Sequence, residues 1–315
     1  MPVCYTRVNI RVKIKMGKLK YFSTFSGIGG FEVAIEKAAQ SAGIQVECVG
    51  YSEIDIFADS VYKYHFPEII NYGDITKIKP KDLPNFDLLV GGFPCQPFSS
   101  AGQRKGFNDT RGTLFFDLAR ILEGKRPRLF VFENVPGLLN SDGGRTFATI
   151  LKTLDQLGYG VAWQVLNSNH FGSPQMRKRV ILVGVRGQFP DHPALPIEPS
   201  SETHFNQNKI VSYSKTRDVV AIKNTINTII ASYKGVGNFN QPGVISDDKK
   251  VIRRLTPIEC ERAQGFPDNW TMRGDGRKTI SMAQRYKMCG NAINVPTLEA
   301  VFLRIFSNPE YMEQG

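Results

Sequence analysis

Between Lys20 and about Arg186 the apolar positions follow two rhythms. Short β-branched or aromatic runs end at glycine or a polar residue: "KYFSTFSG", "VECVGYSEID", "FDLLVGG", "RLFVFENV", "VAWQVLN" and "RVILVGV". Between them lie segments with apolar residues every three or four positions. "FEVAIEKAAQSAG" closes on Gly43 and "IFADSVYKYHF" stops before Pro67. "TLFFDLARILEG" aligns Leu114, Phe115, Leu118, Ile121 and Leu122, and "TFATILKTLDQLG" aligns Phe147, Ile150, Leu151 and Leu154. Short apolar runs of the first kind read as strands and a 3.6-residue period as helices. Strands separated by helices of this length predict an α/β fold with a mostly parallel, doubly wound sheet. The unbroken run Leu88-Leu89-Val90 fits a central strand covered on both faces.

The rhythm changes after Gly187. "QFPDHPALPIEPSSETHF" has the composition of a loop, and Thr, Asn, Ser and Gly dominate to about Asp248. Helical signals return at Thr256, with Pro257 at the first helical position and Glu259 completing a capping box. "VPTLEAVFLRIF" is apolar enough to pack back on the first unit. The expected organisation is a basic extension over 1–17, a large domain over 18–186 completed by 288–315, and a small irregular domain over 187–287. In the extension, the alternation Val8-Ile10-Val12-Ile14 reads as a strand or a loosely ordered arm, and Met16 is an alternative start.

Composition narrows the functional classes. The 315-residue chain is 41% hydrophobic and 22% charged, enough to bury a real core. Its formal charge of +11 favours a polyanionic partner, nucleic acid before an anionic membrane surface. Five scattered cysteines without a C-x-x-C pair suit reduced thiols in the cytoplasm, and the four histidines show no metal-ligand spacing with them. No metal is expected. No apolar run approaches the roughly 18 residues of a membrane span.

Ionisable and nucleophilic residues collect where strands end. In "FSTFSGIGGFE", Gly27, Gly29 and Gly30 sit between a strand and a helix, and Glu53 ends the next strand. Open α/β sheets bind nucleotides at such ends, with a carboxylate accepting from ribose hydroxyls. The glycine spacing departs from G-x-G-x-x-G, so a tight turn is the competing reading. Asp74, read as ending a third strand, suits an adenine amino group or a turn equally. Cys95 follows "LLVGGFP" rather than lying within the apolar run, which favours a nucleophile over a buried filler. Backbone N–H groups and nearby arginines are expected to favour its thiolate. Glu133 ends "RLFVFE" and is placed to donate a proton, with Asn134 set to orient it; a polar pair at a helix start is the alternative. In "SPQMRKRV", Gln175, Arg177 and Arg179 alternate, so Arg177 and Arg179 share a face suited to a carbonyl oxygen or phosphate, or to solvent.

In this order, "FSGIGG", "GGFPCQPFS", "ENVPGLL", "QMRKRV", "RRLTPIECERAQGFPD" and "GNAINVP" resemble the DNA (cytosine-5)-methyltransferase family from Tyr21 to about Ile305. The resemblance implies the Rossmann-like methyltransferase fold and S-adenosylmethionine as cofactor. It implies a cofactor site from Phe25, Ser26, Gly27, Ile28, Gly29 and Gly30, with Glu53 and Ile54 at the ribose side. Asp74 and Ile75 at the adenine, with Pro94, Leu114 and Asn291, complete it. Cys95 would attack C6 of cytosine, Glu133 would act at N3, and Arg179 with Arg177 nearby would hold O2 and the local backbone. Gln96, Ser99 and Thr228 match DNA-contacting positions, the last in the Thr-aliphatic pair Thr228-Ile229 of the target-recognition region. "QPFSSAGQRKGFNDTRG" matches the loop that closes on double-stranded DNA, with Gly102 and Gly112 as hinges.

The family implies a monomeric bacterial or phage enzyme, its cognate restriction endonuclease a functional rather than physical partner. The short recognition region points to a site of four to six base pairs. Ser23 departs from the family, which commonly has aspartate in this part of the first strand. The RNA-methylating branch carries a Cys-Phe-Thr segment absent here, and exocyclic amino methylation uses an Asp/Asn-Pro-Pro-aromatic block where this chain has Pro94-Cys95-Gln96. An inactive DNA-binding regulator would have lost Cys95 or Glu133, and both are present.

Overall fold

The computed structural model describes residues 18–95, 114–187, 190–198 and 252–312, with isolated strands and one residue between 210 and 245. Strand β1 (Leu19–Thr24) leads through helix α1 (Gly30–Ala42) to β2 (Val46–Ser52), and α2 (Ile56–His65) follows. Next come β3 (Leu88–Gly92), α3 (Leu114–Lys125), β4 (Leu129–Asn134), α4 (Arg145–Gln156) and β5 (Tyr159–Asn167). The two-residue β6 (Gln175–Met176) precedes the long β7 (Lys178–Arg186).

Six of these strands form one sheet in the order β2-β1-β3-β4-β7-β5. The first four run parallel, and β7 runs antiparallel to both β4 and β5. The sheet is therefore mixed and mostly parallel, as the strand–helix alternation predicts. Side chains of the central strands alternate between two cores, as period two requires. Leu88, Val90, Leu129, Val131, Ile181 and Val183 face the core beneath α1. Leu89, Phe130, Phe132, Val180 and Leu182 face the core beneath α3 and α4. The helix Val295–Phe306 packs on α1 through Phe302 and Phe31 (ring centroids 6.4 Å apart), so the apolar C-terminal segment does return to the large sheet.

Helix ends follow local chemistry. Asp55 caps α2 by accepting from the Phe57 and Ala58 N–H groups, and Thr256 and Glu259 form the expected capping box on α5 (Pro257–Gln264). Strands β8 (Ile210–Ser214), β9 (Val219–Lys223), β11 (Gly243–Ile245) and β12 (Ile252–Arg254) form a separate antiparallel sheet, order β12-β11-β8-β9. Strand β10 (Ile226–Asn227) instead pairs with β6, beside the arginines of "QMRKR".

One expected strand is absent. Asp74 does not end a strand: the segment around it pairs with the sheet only through a bridge between Asn71 and Tyr51. Gly73 then turns the chain away at φ +70°. Within the described residues no helix is long and apolar enough to cross a membrane.

Candidate active site

The order of the sheet locates the site. The chain leaves β1 for β2 on one side and then crosses to β3 on the other, so a crevice opens beyond the carboxyl ends of β1 and β3. A cavity of about 390 Å³ lies there. The β1–α1 turn contributes Phe25, Gly27 and Ile28, and the residue after β2 contributes Glu53. The segment after β3 adds Pro94 and Cys95, and the end of β4 adds Glu133. Arg177, Arg179 and Asn291 close it. Ten of the seventeen proposed catalytic and cofactor residues thus line one space.

The β1–α1 turn owes its shape to glycine. Gly27 has φ +56° and nothing within 4 Å of where a Cβ would stand, which leaves an open cradle. Glu53 is pinned beside it. One oxygen, Oε2, accepts from Gly27 N–H at 2.8 Å, while Oε1 accepts from Ile54 and Asp55 N–H at 2.8 and 2.7 Å. A carboxylate offers about four acceptor positions, so Oε2 keeps one for a hydroxyl. A fixed carboxylate, an aromatic ring and bare backbone suit the ribose and base of a nucleoside. Ile54 itself is 71% exposed and does not line the cavity.

The remaining assigned residues lie elsewhere. Ser26, Gly29 and Gly30 are buried in the turn without lining the cavity. Ile75 and Leu114 pack on the core beneath α3. Asp74 bonds Thr76 through its backbone N–H and its hydroxyl, and those bonds hold its carboxyl below the usual range. Gln96, Ser99, Thr228 and the loop around Gly102 and Gly112 lie outside the described residues, as does the 1–17 extension.

At the other end of the cavity Glu133 and Arg179 pair, Oε1 to Nε, at 2.7 Å. Glu133 stands beside Gly92 in the β3–β4 register, and its Oε2 lies 3.4 Å from where a Gly92 Cβ would be. Two expectations need correction here and one gains detail. Arg177 shares the cavity wall with Arg179, and its side chain holds the local backbone. Its guanidinium is buried and donates to the carbonyls of Gly290 (3.2 Å) and Ala292 (2.8 Å), the residues flanking Asn291. Asn134 does not orient Glu133. Its Nδ2 donates to the Phe93 carbonyl at 2.9 Å and its Oδ1 accepts from Val135 N–H. Nor does the described structure favour the Cys95 thiolate: burial pushes this thiol above its ordinary value.

Sequence reasoning also missed Trp270, whose indole N–H donates to the Ile28 carbonyl at 2.8 Å while its ring stacks on His65. It missed the ion pair between Asp55 and Lys287 on the cavity wall, 2.6 Å long. Both join residues more than 200 positions apart, and neither carries a local signal.

A family model described as C-5 cytosine-specific DNA methylase matches residues 19–241 and 205–307. The chain belongs to that family. The type II methyltransferase M1.ScrFI of Lactococcus lactis subsp. cremoris is 37% identical over 91% of this chain and 78% of its own. M.NgoBI of Neisseria gonorrhoeae is 38% identical over 89% and 91%. M.NgoBV, from the same species, is 49% identical, but over 56% of this chain and 43% of its own length. The Dnmt2 methyltransferase structure from S. pombe covers 93% of this chain and 99% of its own with a TM-score of 0.67; at 18% identity it supports the fold alone.

Asn134 ties the segment that carries Cys95 to β4. Asn134→Ala should lower the methyl-transfer rate by about 10²-fold, since a displacement near 1 Å has such an effect. It also strands the Phe93 carbonyl, costing about 1–3 kcal/mol in denaturant titration. Wild-type turnover in the variant would remove Asn134 from that role.

Proposed function

We propose that this protein transfers the methyl group of S-adenosylmethionine to C5 of a cytosine flipped out of duplex DNA, with Cys95 Sγ bonded to C6 during the reaction. The observation that carries the reading is the single cavity shared by Cys95, the Glu133–Arg179 pair and the Gly27–Glu53 cradle. The cofactor, when bound, supplies an electrophilic methyl group. The chain must make C5 nucleophilic, because unassisted C5 of cytosine is a poor partner.

Addition of Cys95 Sγ to C6 makes C5 enamine-like. Glu133 donates a proton or hydrogen bond to N3 and offsets the charge that develops in the ring. Arg179 holds Glu133 and faces O2. Once C5 carries the methyl group, loss of the C5 proton to water, return of the N3 proton to Glu133 and departure of the thiolate from C6 restore the aromatic ring and free the enzyme. A base within a duplex cannot reach Cys95, so it must leave the stack. The charge of +11 supports a phosphate-rich substrate. The type II names of the relatives support a modification role, with a cognate restriction endonuclease as functional counterpart.

Incubation with cofactor labelled in the methyl group, against duplex DNA and tRNA in parallel, tests the reading. Label is expected in 5-methylcytosine of the DNA. Labelling of tRNA alone would overturn it.

A further inference from the structure

Strand β2 outlasts its backbone neighbour. Tyr51 N–H donates to the Ile70 carbonyl at 3.0 Å and the Tyr51 carbonyl accepts from Tyr72 N–H at 2.7 Å. Two residues on, at Glu53, a continued ladder would need another backbone partner, but Gly73 has turned the chain away. The side chain of Asn71 takes that place. Its Oδ1 accepts from Glu53 N–H at 3.2 Å, and its Nδ2 donates to the Glu53 carbonyl at 3.0 Å. An amide side chain thus stands in for a peptide unit at the residue whose carboxylate walls the cofactor cradle.

The orientation of that amide is set from behind. Asp59 Oδ1 accepts from Asn71 Nδ2 and from the Tyr51 hydroxyl, both at 2.7 Å, and Asp59 Oδ2 pairs with Lys63 at 2.8 Å. An ionised carboxylate only accepts, so the amide nitrogen must face Asp59. The oxygen then meets the N–H groups of Glu53 and Gly73, the latter at 2.8 Å.

We propose that Asn71, oriented by Asp59, is a positioning residue that sets Glu53 and through it the affinity for the cofactor. The inference rests on Glu53 binding the ribose, as proposed above. Loss of the Asn71 donor tilts the Glu53 peptide and moves the carboxylate away from the Gly27 turn.

The test is a calorimetric titration with S-adenosylhomocysteine of four full-length proteins: wild type, Asn71→Asp, Glu53→Gln and the double variant. Asn71→Asp keeps the shape but faces acceptors with an acceptor. It should raise the dissociation constant about tenfold, in line with an unsatisfied polar contact. With Glu53→Gln already present, the same change should cost less than about twofold, because coupled residues are not additive. Equal losses in both backgrounds, or no loss at all, would overturn the proposal. Affinity of Glu53→Gln equal to wild type would instead remove Glu53 from the cofactor site, and the proposal with it.

A fifth protein separates positioning from folding. Adding Asp59→Asn to Asn71→Asp restores a donor–acceptor pair between the two positions but leaves the Glu53 carbonyl without its donor. Thermal stability should recover while cofactor affinity stays low. Recovery of both would reduce Asn71 to a structural contact.

Discussion

Cys95→Ala should abolish turnover while the protein still binds DNA and cofactor. Without the thiol no covalent addition to C6 is possible, and loss of an enzymatic nucleophile typically lowers turnover by about 10⁴-fold or more. The sharpest readout is a duplex carrying 5-fluorocytosine. Fluorine at C5 cannot leave as the proton does, so wild-type protein and cofactor should give a stable adduct seen by intact mass. Cys95→Ala should give none. The pH dependence has a definite sign. Burial raises the thiol above its ordinary value, so near neutral pH the free protein holds Cys95 largely protonated. A rise in pH increases the thiolate fraction, and the rate of adduct formation should climb with it until the DNA or the fold fails. Full activity in Cys95→Ala, or an adduct that forms without the thiol, would refute the mechanism.

The same residue shows what a sequence can and cannot convey. Its place beyond "LLVGG" was legible because strand periodicity and the glycines mark where β3 ends, and crevices open at carboxyl ends. Glu53 and Glu133 were legible on the same ground. Their partners were not. Arg177 alternates with Arg179 in the sequence, and period two suggests a shared role. In three dimensions the carbonyls of Gly290 and Ala292 capture it, more than 110 residues away. Asn134 lies next to Glu133, yet its amide reaches across to Phe93 on the neighbouring strand. Asp74 ends no strand, because the pairing stops at the bridge of Asn71 to Tyr51 and Gly73 turns the chain at φ +70°. The Cys95 thiol is raised by burial, and a count of arginines in the sequence carries no sign of that.

Glu133→Gln carries the second large effect. Glutamine keeps the size of the side chain and a group able to hydrogen-bond N3, but it cannot deliver a proton. General acid assistance typically contributes about 10²–10⁴-fold, so turnover should fall within that range. A second consequence follows from the pair with Arg179. With an amide at position 133, Arg179 keeps a hydrogen-bonding neighbour but no carboxylate to pair with. Arg179→Lys in the wild-type background keeps the charge but loses the planar fork that can grip a carboxylate and a base oxygen together. If the two side chains act as one unit, Glu133→Gln combined with Arg179→Lys should be no slower than the worse single variant within about threefold, whereas independent roles would multiply. Single-turnover methyl transfer on duplex DNA reads all three proteins, with DNA binding measured separately so that a loss of affinity is not mistaken for a loss of chemistry. Wild-type rates for Glu133→Gln would mean that N3 needs no proton from the enzyme. Activation would then rest on the thiol alone, and the carboxylate at the end of β4 would serve only to hold Arg179 in place.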